Sequence, residues 1–460
     1  MLLKNPQILT QMLDIFKENI EKLPDDRKNK NNNIKYSIDD IILTPLAMFY
    51  MQSKSWLSFQ RKMETSKGNS NMTTIFGVDN IPTDNLVRSI VDKVDPYLLQ
   101  PVYEDILKLA QKNGVIKEFT VMGNYLLVTL DGTHYHSSKK IKCDCCQTRT
   151  NSETGDIHYL HSAITPAIVH PAIKKVLPLM QEFISNKDGT KKQDCEVNAA
   201  KRWLEKFEAL SGYKVIVMGD DLYAHEPMMQ AVLDKEHSYI FICKEDSHKI
   251  LYEYINAIKN LENIDTVTKK VKVKNSYQTI VCNWVNSVPI NGREDALDTN
   301  WCEIIITDNK TKKKIYHNCF VTDIEISSKN VIDIASYGRA RWKIFQTTLR
   351  DFASLHENEN NNTLKTKGYH LDHNFGHGKE NLSKTLCSLN ILSFLFHTIQ
   401  ELDDDLYMEL RENIGTREEF FIGINFLTTL FNFKSFNKML EYILIALQTE
   451  ENVDMKGYVV

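Results

Sequence analysis

Two aspartates raise the question of chemistry first. Asp131 follows the apolar run Phe119 to Leu130 and precedes Gly132, and Asp220 follows the run Tyr213 to Met218 through Gly219. Runs this rich in Val, Ile, Leu and Tyr read as strands, the first broken into a hairpin at Gly123-Asn124. An aspartate at the carboxyl end of a strand is held rigidly while its carboxylate stays open to a ligand, and in open α/β sheets sites form at that edge. An aspartate there also serves simply to open a turn, and neither residue alone separates the two readings. Asp221, next in the chain, is a second choice for the role of Asp220. A different chemistry is suggested by Cys143, Cys145 and Cys146, with His158 and His161 a turn and a strand later. Cys-x-x-Cys at 143 and 146 plus the two histidines would suit structural tetrahedral zinc, whereas reduced thiols in a hairpin are the plainer reading.

The elements around these residues change character along the chain. Leu9, Met12, Leu13 and Phe16 repeat at helical spacing, Ile41 to Trp56 reads as a second helix, and Leu98 to Leu109 as another. Thr83 or Asp84 is placed to cap a helix through Leu86, Ile90 and Val91. From about residue 119 strand signals take over, with Ile157 to Val169 and Tyr239 to Cys243 joining the two runs above. Helices are expected at Asp194 to Leu210 and Glu226 to Leu233. Four alternating strands follow, at Val267 to Val273, Thr279 to Val285, Trp301 to Thr307 and Lys314 to Val321, and helices return from Ile334. The division this gives is 1–115 helical, 116–262 α/β, 263–333 β-rich, 334–400 helical, and a helical C-terminal region at 401–460.

The chain has 460 residues with a net charge of −4, so the charge total gives no sign of a nucleic-acid partner. Distribution matters more than the sum. Lys139, Lys140 and Lys142, the stretch Lys269 to Lys274, and Lys310 to Lys314 are basic runs; each taken singly is most simply solvated surface. No apolar run reaches the ~18 residues of a membrane-spanning helix, and the N-terminus, with Asp14 and Glu18 on an amphipathic helix, does not read as a signal peptide. Nine cysteines, six of them scattered, argue for reduced thiols in a cytosol.

Longer stretches carry a resemblance. LDGTHYHSSKKIKCDCCQTRT (Leu130 to Thr150), KQDCEVNAAKRWLEK (Lys192 to Lys206), VIVMGDDLYAHEPMM (Val215 to Met229), ICKEDSH (Ile242 to His248), YGRARWKI (Tyr337 to Ile344) and NTLKTKGYHLDHNFGHGKENL (Asn362 to Leu382) are similar to DDE transposases of the insertion-sequence-four family. An N-terminal stretch, from QSKSWLSFQRKM to FGVDNIPTDNLVR, is similar too, so the resemblance spans about residues 45 to 400. It implies an α/β fold with an RNase-H-like catalytic core, a mixed sheet flanked by helices. A β-rich domain is inserted at 263–333, and 1–115 is a helical DNA-binding or dimerisation region. The catalytic acids map to Asp131, Asp220 and Glu357, with Glu359 next in line, and Tyr337, Arg341, Trp342 and Lys365 map to DNA contacts. Core packing is the simpler role for Trp342.

The implied activity is Mg²⁺- or Mn²⁺-dependent cleavage and strand transfer at the terminal inverted repeats of an insertion sequence, by a homodimer in a bacterial, nucleoid-associated cytoplasmic setting. Two such ions, ~3.5–4 Å apart, activate an oxygen nucleophile and neutralise the phosphate, and hard carboxylate oxygens suit them. The run around Gly368-Tyr369-His370, with His373 and His377, could also suggest a metal, but on the same resemblance it follows the catalytic helix, where DNA contact or packing is the expectation. One departure stands out. Relatives carry a Glu four residues after the Arg, whereas position 345 here is Phe and the matching Glu357-Asn358-Glu359 comes later, as if Phe345 to His356 were inserted. Residues four apart share a helix face, and twelve more helical residues would turn that face by ~120° and move it by ~18 Å. Asp351, within the insert, is a poor substitute. The alternative expectation is therefore a catalytically impaired transposase relic that still binds DNA, and a zinc-containing scaffold for protein contacts is a third.

Overall fold

The computed structural model describes residues 7–23, 25, 27, 34–186, 193–273, 276–345 and 369–448. Strands begin where helical spacing gives way to runs of aliphatic and aromatic residues. Thr120–Val121 (β1) and Tyr125–Thr129 (β2) form a hairpin around Gly123, whose φ of +89° suits a residue without Cβ. Gly132–Ser138 (β3), Gln147–Thr150 (β4), Ile157–Ile164 (β5), Ala167–Val169 (β6), Leu177–Pro178 (β7) and Glu182–Ile184 (β8) follow. After the helix Glu196–Lys206 come Lys214–Gly219 (β9), the helix Glu226–Leu233, and Ser238–Ile242 (β10). The β-rich stretch supplies Asp265–Val273 (β11), Ser276–Pro289 (β12), Asp298–Asp308 (β13) and Lys314–Thr322 (β14).

The main sheet runs β11-β12-β13-β14-β10-β9-β2-β6-β7, with β1 added to β2. Its centre is parallel, β2 with β9 and β9 with β10, and the pairs on either side are antiparallel. The parallel strands are buried almost end to end, as strands covered on both faces must be. β12 instead alternates buried and half-buried residues, the mark of a strand with one covered face. The strands expected as an inserted unit continue this same sheet, because β14 pairs with β10 and sets Val321 opposite Phe241. Alternation identifies a strand from its own residues; its partner is chosen by tertiary packing. A smaller sheet, β3-β5-β4 with β8 against β5, stands beside the main one.

The helices of the first 115 residues pack around Leu382–Asp403, a helix long and apolar enough to cross a membrane by length and composition alone. Its most apolar window is 89% buried inside the protein, and a helix apolar all round belongs in such a core. The Tyr50 hydroxyl donates to Gln400, and the Tyr103 hydroxyl donates to the Ser388 carbonyl at 2.6 Å. The helix expected over Ile41 to Trp56 is two, Ile38–Tyr50 and Trp56–Met63. Ser55 caps the second by accepting the Ser58 N–H at 3.3 Å, a local bond that competes with continued helix.

Candidate active site and a cysteine–histidine cluster

The parallel pairing of β2 with β9 brings the two expected aspartates together. Thr129 pairs with Met218, and the Leu130 N–H donates to the Met218 carbonyl at 2.8 Å. Two more residues along each strand lie Asp131 and Asp220, both half-buried at the carboxyl edge. The chain turns sharply after each. Asp131 leaves the main sheet for β3, where Gly132 pairs with Ile164, and the Thr165 N–H donates to the Asp131 carbonyl at 3.0 Å. The Asp220 carboxylate accepts the Leu222 N–H at 2.9 Å, closing a turn on itself.

Two further charged groups enter the site. Arg341, 5% exposed, points its guanidinium at Asp131, with Nη1 at 3.6 Å from the carboxylate. Glu196, in the first turn of the helix Glu196–Lys206, accepts the Tyr223 hydroxyl at 2.7 Å and a backbone hydrogen bond from Gly132. A Cβ at Gly132 would lie 2.3 Å from the Glu196 carboxylate, so glycine there is what lets the two approach. At Gly219 a Cβ would lie 2.6 Å from the Tyr223 ring, which backs the same corner.

Burial pushes the Asp131 carboxyl up to about 7; Arg341 draws it down, while Glu196 and Asp220 push it up. Burial likewise raises Glu196, with Asp220 adding to the rise and the Tyr223 hydroxyl, the Gly132 N–H and Arg341 opposing it. Three carboxylates thus face one guanidinium in a partly desolvated corner, an arrangement short of positive charge. A divalent cation with hard-oxygen preference matches that deficit. Glu196 is absent from the sequence expectations. An acid in the first turn of an amphipathic helix reads as a helix-dipole partner, and only the fold turns it toward Asp131.

The other expected residues divide. Asp221 faces away from the site: it accepts the Lys244 N–H at 2.6 Å and a hydrogen bond from Ser247, and lies 3.5 Å from His248. Trp342 is not a core residue; it is 46% exposed, with the Arg341 guanidinium 4.3 Å over its ring. Tyr337 is half-buried, and burial, with Asp333 adding, raises its hydroxyl. Lys343 is spent on structure, its ammonium bonded to the carbonyls of His170, Pro171 and Ile173. Glu357, Glu359, Lys365, Asp351 and all but the first residue of the Phe345 to His356 stretch lie outside the described residues.

The second group corrects the zinc expectation. Cys143, Cys146 and His161 do converge, but His377 completes the group in place of His158. His158 and His161 are three apart on β5, so they point to opposite faces. His158 lines an open groove with His134, Ser137 and Arg149 instead. Cys145 stands outside the cluster, its thiol 3.9 Å from the Glu380 carbonyl. A further grouping, Glu303, His317 and Cys319, could also hold a metal. There, however, Glu303 already takes Lys259 at 3.3 Å, Asn283 at 2.9 Å and His317 at 2.8 Å. None of the nine cysteines stands in a disulfide. The chain matches no protein-family model, and no curated protein matches it.

Proposed function

We propose that this chain is a DDE-type DNA transposase with an RNase-H-like core, cleaving and joining DNA at the terminal inverted repeats of an insertion sequence. The observation that carries the reading is the meeting of Asp131 and Asp220 at the carboxyl edge of two adjacent parallel strands, with Arg341 against them. Magnesium or manganese, when bound, supplies the activated oxygen nucleophile and charge neutralisation at the scissile phosphate. Asp131 and Asp220 offer the hard oxygen ligands, and Arg341 keeps Asp131 oriented. Glu196, tied to Tyr223 and to the backbone of Gly132, adds negative charge and holds the corner in shape. Glu357 serves as the third acid of this reading.

DNA is held through phosphates, and exposed lysines at one end of the sheet support that. Lys270 and Lys272 on the edge strand β11, and Lys310, Lys312, Lys313 and Lys314 at the β13–β14 turn, are all exposed. The register Val271–Gln278–Asp308 brings them to the same end. Trp342, with its open face, offers a surface for stacking a base. Target DNA and a second copy of the chain in a synaptic complex are the other partners of this reading, and the bacterial cytoplasm is its setting.

The test is Mg²⁺-dependent cleavage of duplex DNA bearing the element's own terminal repeats, comparing the chain with Asp131→Asn. The expected outcome is loss of cleavage with DNA binding kept; full cleavage by the variant overturns the assignment. A second reading, a DNA-binding relic without nuclease activity, is favoured by one observation, the stretch Phe345 to His356 between Arg341 and Glu357. A chain that binds the repeats but cleaves only when that stretch is deleted would establish it.

A further inference from the structure

We propose that Cys143, Cys146, His161 and His377 bind one structural zinc ion that clamps the segment leading into the helix Leu382–Asp403 onto the small sheet beside Asp131. The ligand atoms of all four lie within 4.8 Å of one another. Tetrahedral zinc with Zn–S near 2.3 Å and Zn–N near 2.0 Å requires S···S of about 3.8 Å and S···N of about 3.5 Å. The two sulfurs stand 3.7 Å apart, and Nε2 of His161 lies 3.3 Å from Cys143 Sγ and 3.1 Å from Cys146 Sγ. Nε2 of His377 lies 3.4 Å from Cys146 Sγ. A disulfide needs its sulfurs at about 2.05 Å, so the pair is spaced for a shared ion.

Backbone donors already surround the sulfurs. The Cys143 N–H donates to Cys146 Sγ at 3.3 Å, and backbone N–H groups of Cys145 and Cys146 donate to Cys143 Sγ. Burial raises the Cys143 thiol, and these donors oppose that rise. His161 presents Nε2 to the cluster while Nδ1 meets the Tyr135 hydroxyl at 3.3 Å, the outer bond that orients a ligating imidazole. His136 packs against the His377 ring at 4.6 Å and closes one side.

The two halves of the site come from distant parts of the chain. Cys143, Cys146 and His161 belong to the β3–β5 region that starts one residue after Asp131. His377 belongs to the described segment that follows the stretch bearing Glu357 and Lys365. Asp92 fixes that segment independently, its carboxylate accepting the N–H groups of Lys379, Glu380, Asn381 and Leu382. The ion therefore ties the segment before Leu382–Asp403 to the small sheet that follows Asp131, and needs no part in the chemistry.

The experiment is metal analysis of the full-length chain, purified reduced and without a histidine tag. About one zinc per chain is expected, retained in Asp131→Asn and His158→Ala and lost in His377→Ala. Cys143 and Cys146 should resist alkylation until a strong chelator is added. Cobalt substitution should give the visible bands of a tetrahedral thiolate site, a readout that needs no substitution and so survives a His377→Ala chain that fails to fold. Folded, reduced protein without stoichiometric zinc and with both thiols freely alkylated overturns the proposal, as does zinc lost from His158→Ala but kept in His377→Ala. Stoichiometric iron overturns the identity of the metal. None of these readouts depends on DNA cleavage, so the zinc site and the transposase reading fail separately.

Discussion

Asp131 concentrates the electrostatics of the site. Its carboxyl is held at about 7, chiefly by burial, against ~3.9 in an unfolded chain. A raised carboxyl favours the protonated form when folded, so the stability it contributes is complete below ~4 and is lost as pH rises through about 7. Asp131→Asn removes that loss. Without metal, the variant should melt above the parent at pH 8 and level with it near pH 4, measured by calorimetry at both values. If Mg²⁺ binds Asp131 as proposed, it must displace the same proton, so its affinity should climb as pH passes through about 7. Glu196 and Tyr223 act one step out. Tyr223→Phe leaves the Glu196 carboxylate without its 2.7 Å donor and is expected to lower Mg²⁺-dependent cleavage by roughly 10–100-fold. Parent-level cleavage in that variant would reduce Glu196 to a bystander.

Among elements, the helix Leu382–Asp403 governs how the parts assemble. Its first N–H groups have no intrahelical partner; Asp92, from a different helical segment, accepts that of Leu382 together with those of Lys379, Glu380 and Asn381 just before the helix. Burial alone would raise the Asp92 carboxyl, but the backbone bonds from Lys379, Leu382, Glu380 and Asn381 outweigh it and the pKa falls. Asp92→Ala should cost about 1–2 kcal/mol, the scale of a lost helix cap, in denaturant unfolding at pH 7. A lowered carboxyl contributes its stability above the unfolded pKa of ~3.9 and loses it as pH falls through the folded value. The difference between parent and variant should therefore shrink in acid. An undiminished difference at low pH would mean that packing, and not the charge, is what Asp92 supplies.

For the whole molecule, the proposed transposase reading requires DNA to meet a chain of net charge −4. The exposed lysines of β11 and the β13–β14 turn gather where the long hairpins end, with Asp308 in the turn beside them. If they contact phosphates, replacing Lys270, Lys272 and Lys312 by Gln should weaken binding to the terminal repeats. The salt slope should fall by ~0.9 for each lost contact. An unchanged slope would leave these lysines as edge protection, the usual duty of lysine on a sheet's last strand.

The sequence by itself determined the elements and the chemistry they could carry. Strand runs ending in Asp131 and Asp220, the helix Glu226–Leu233, and the alternating strands after 265 were legible because their signals are local. Cys-x-x-Cys at 143 and 146 was legible for the same reason. The side of β5 was in principle legible too, since a separation of three residues sends His158 and His161 to opposite faces. Only the tertiary structure decided the partners. It paired β14 with β10, turned Glu196 and Arg341 toward Asp131, sent Asp221 elsewhere, left Trp342 open to solvent, and brought His377 to Cys146, 231 residues away from it. Such choices rest on burial and pairing between distant segments, which no local pattern of residue types encodes.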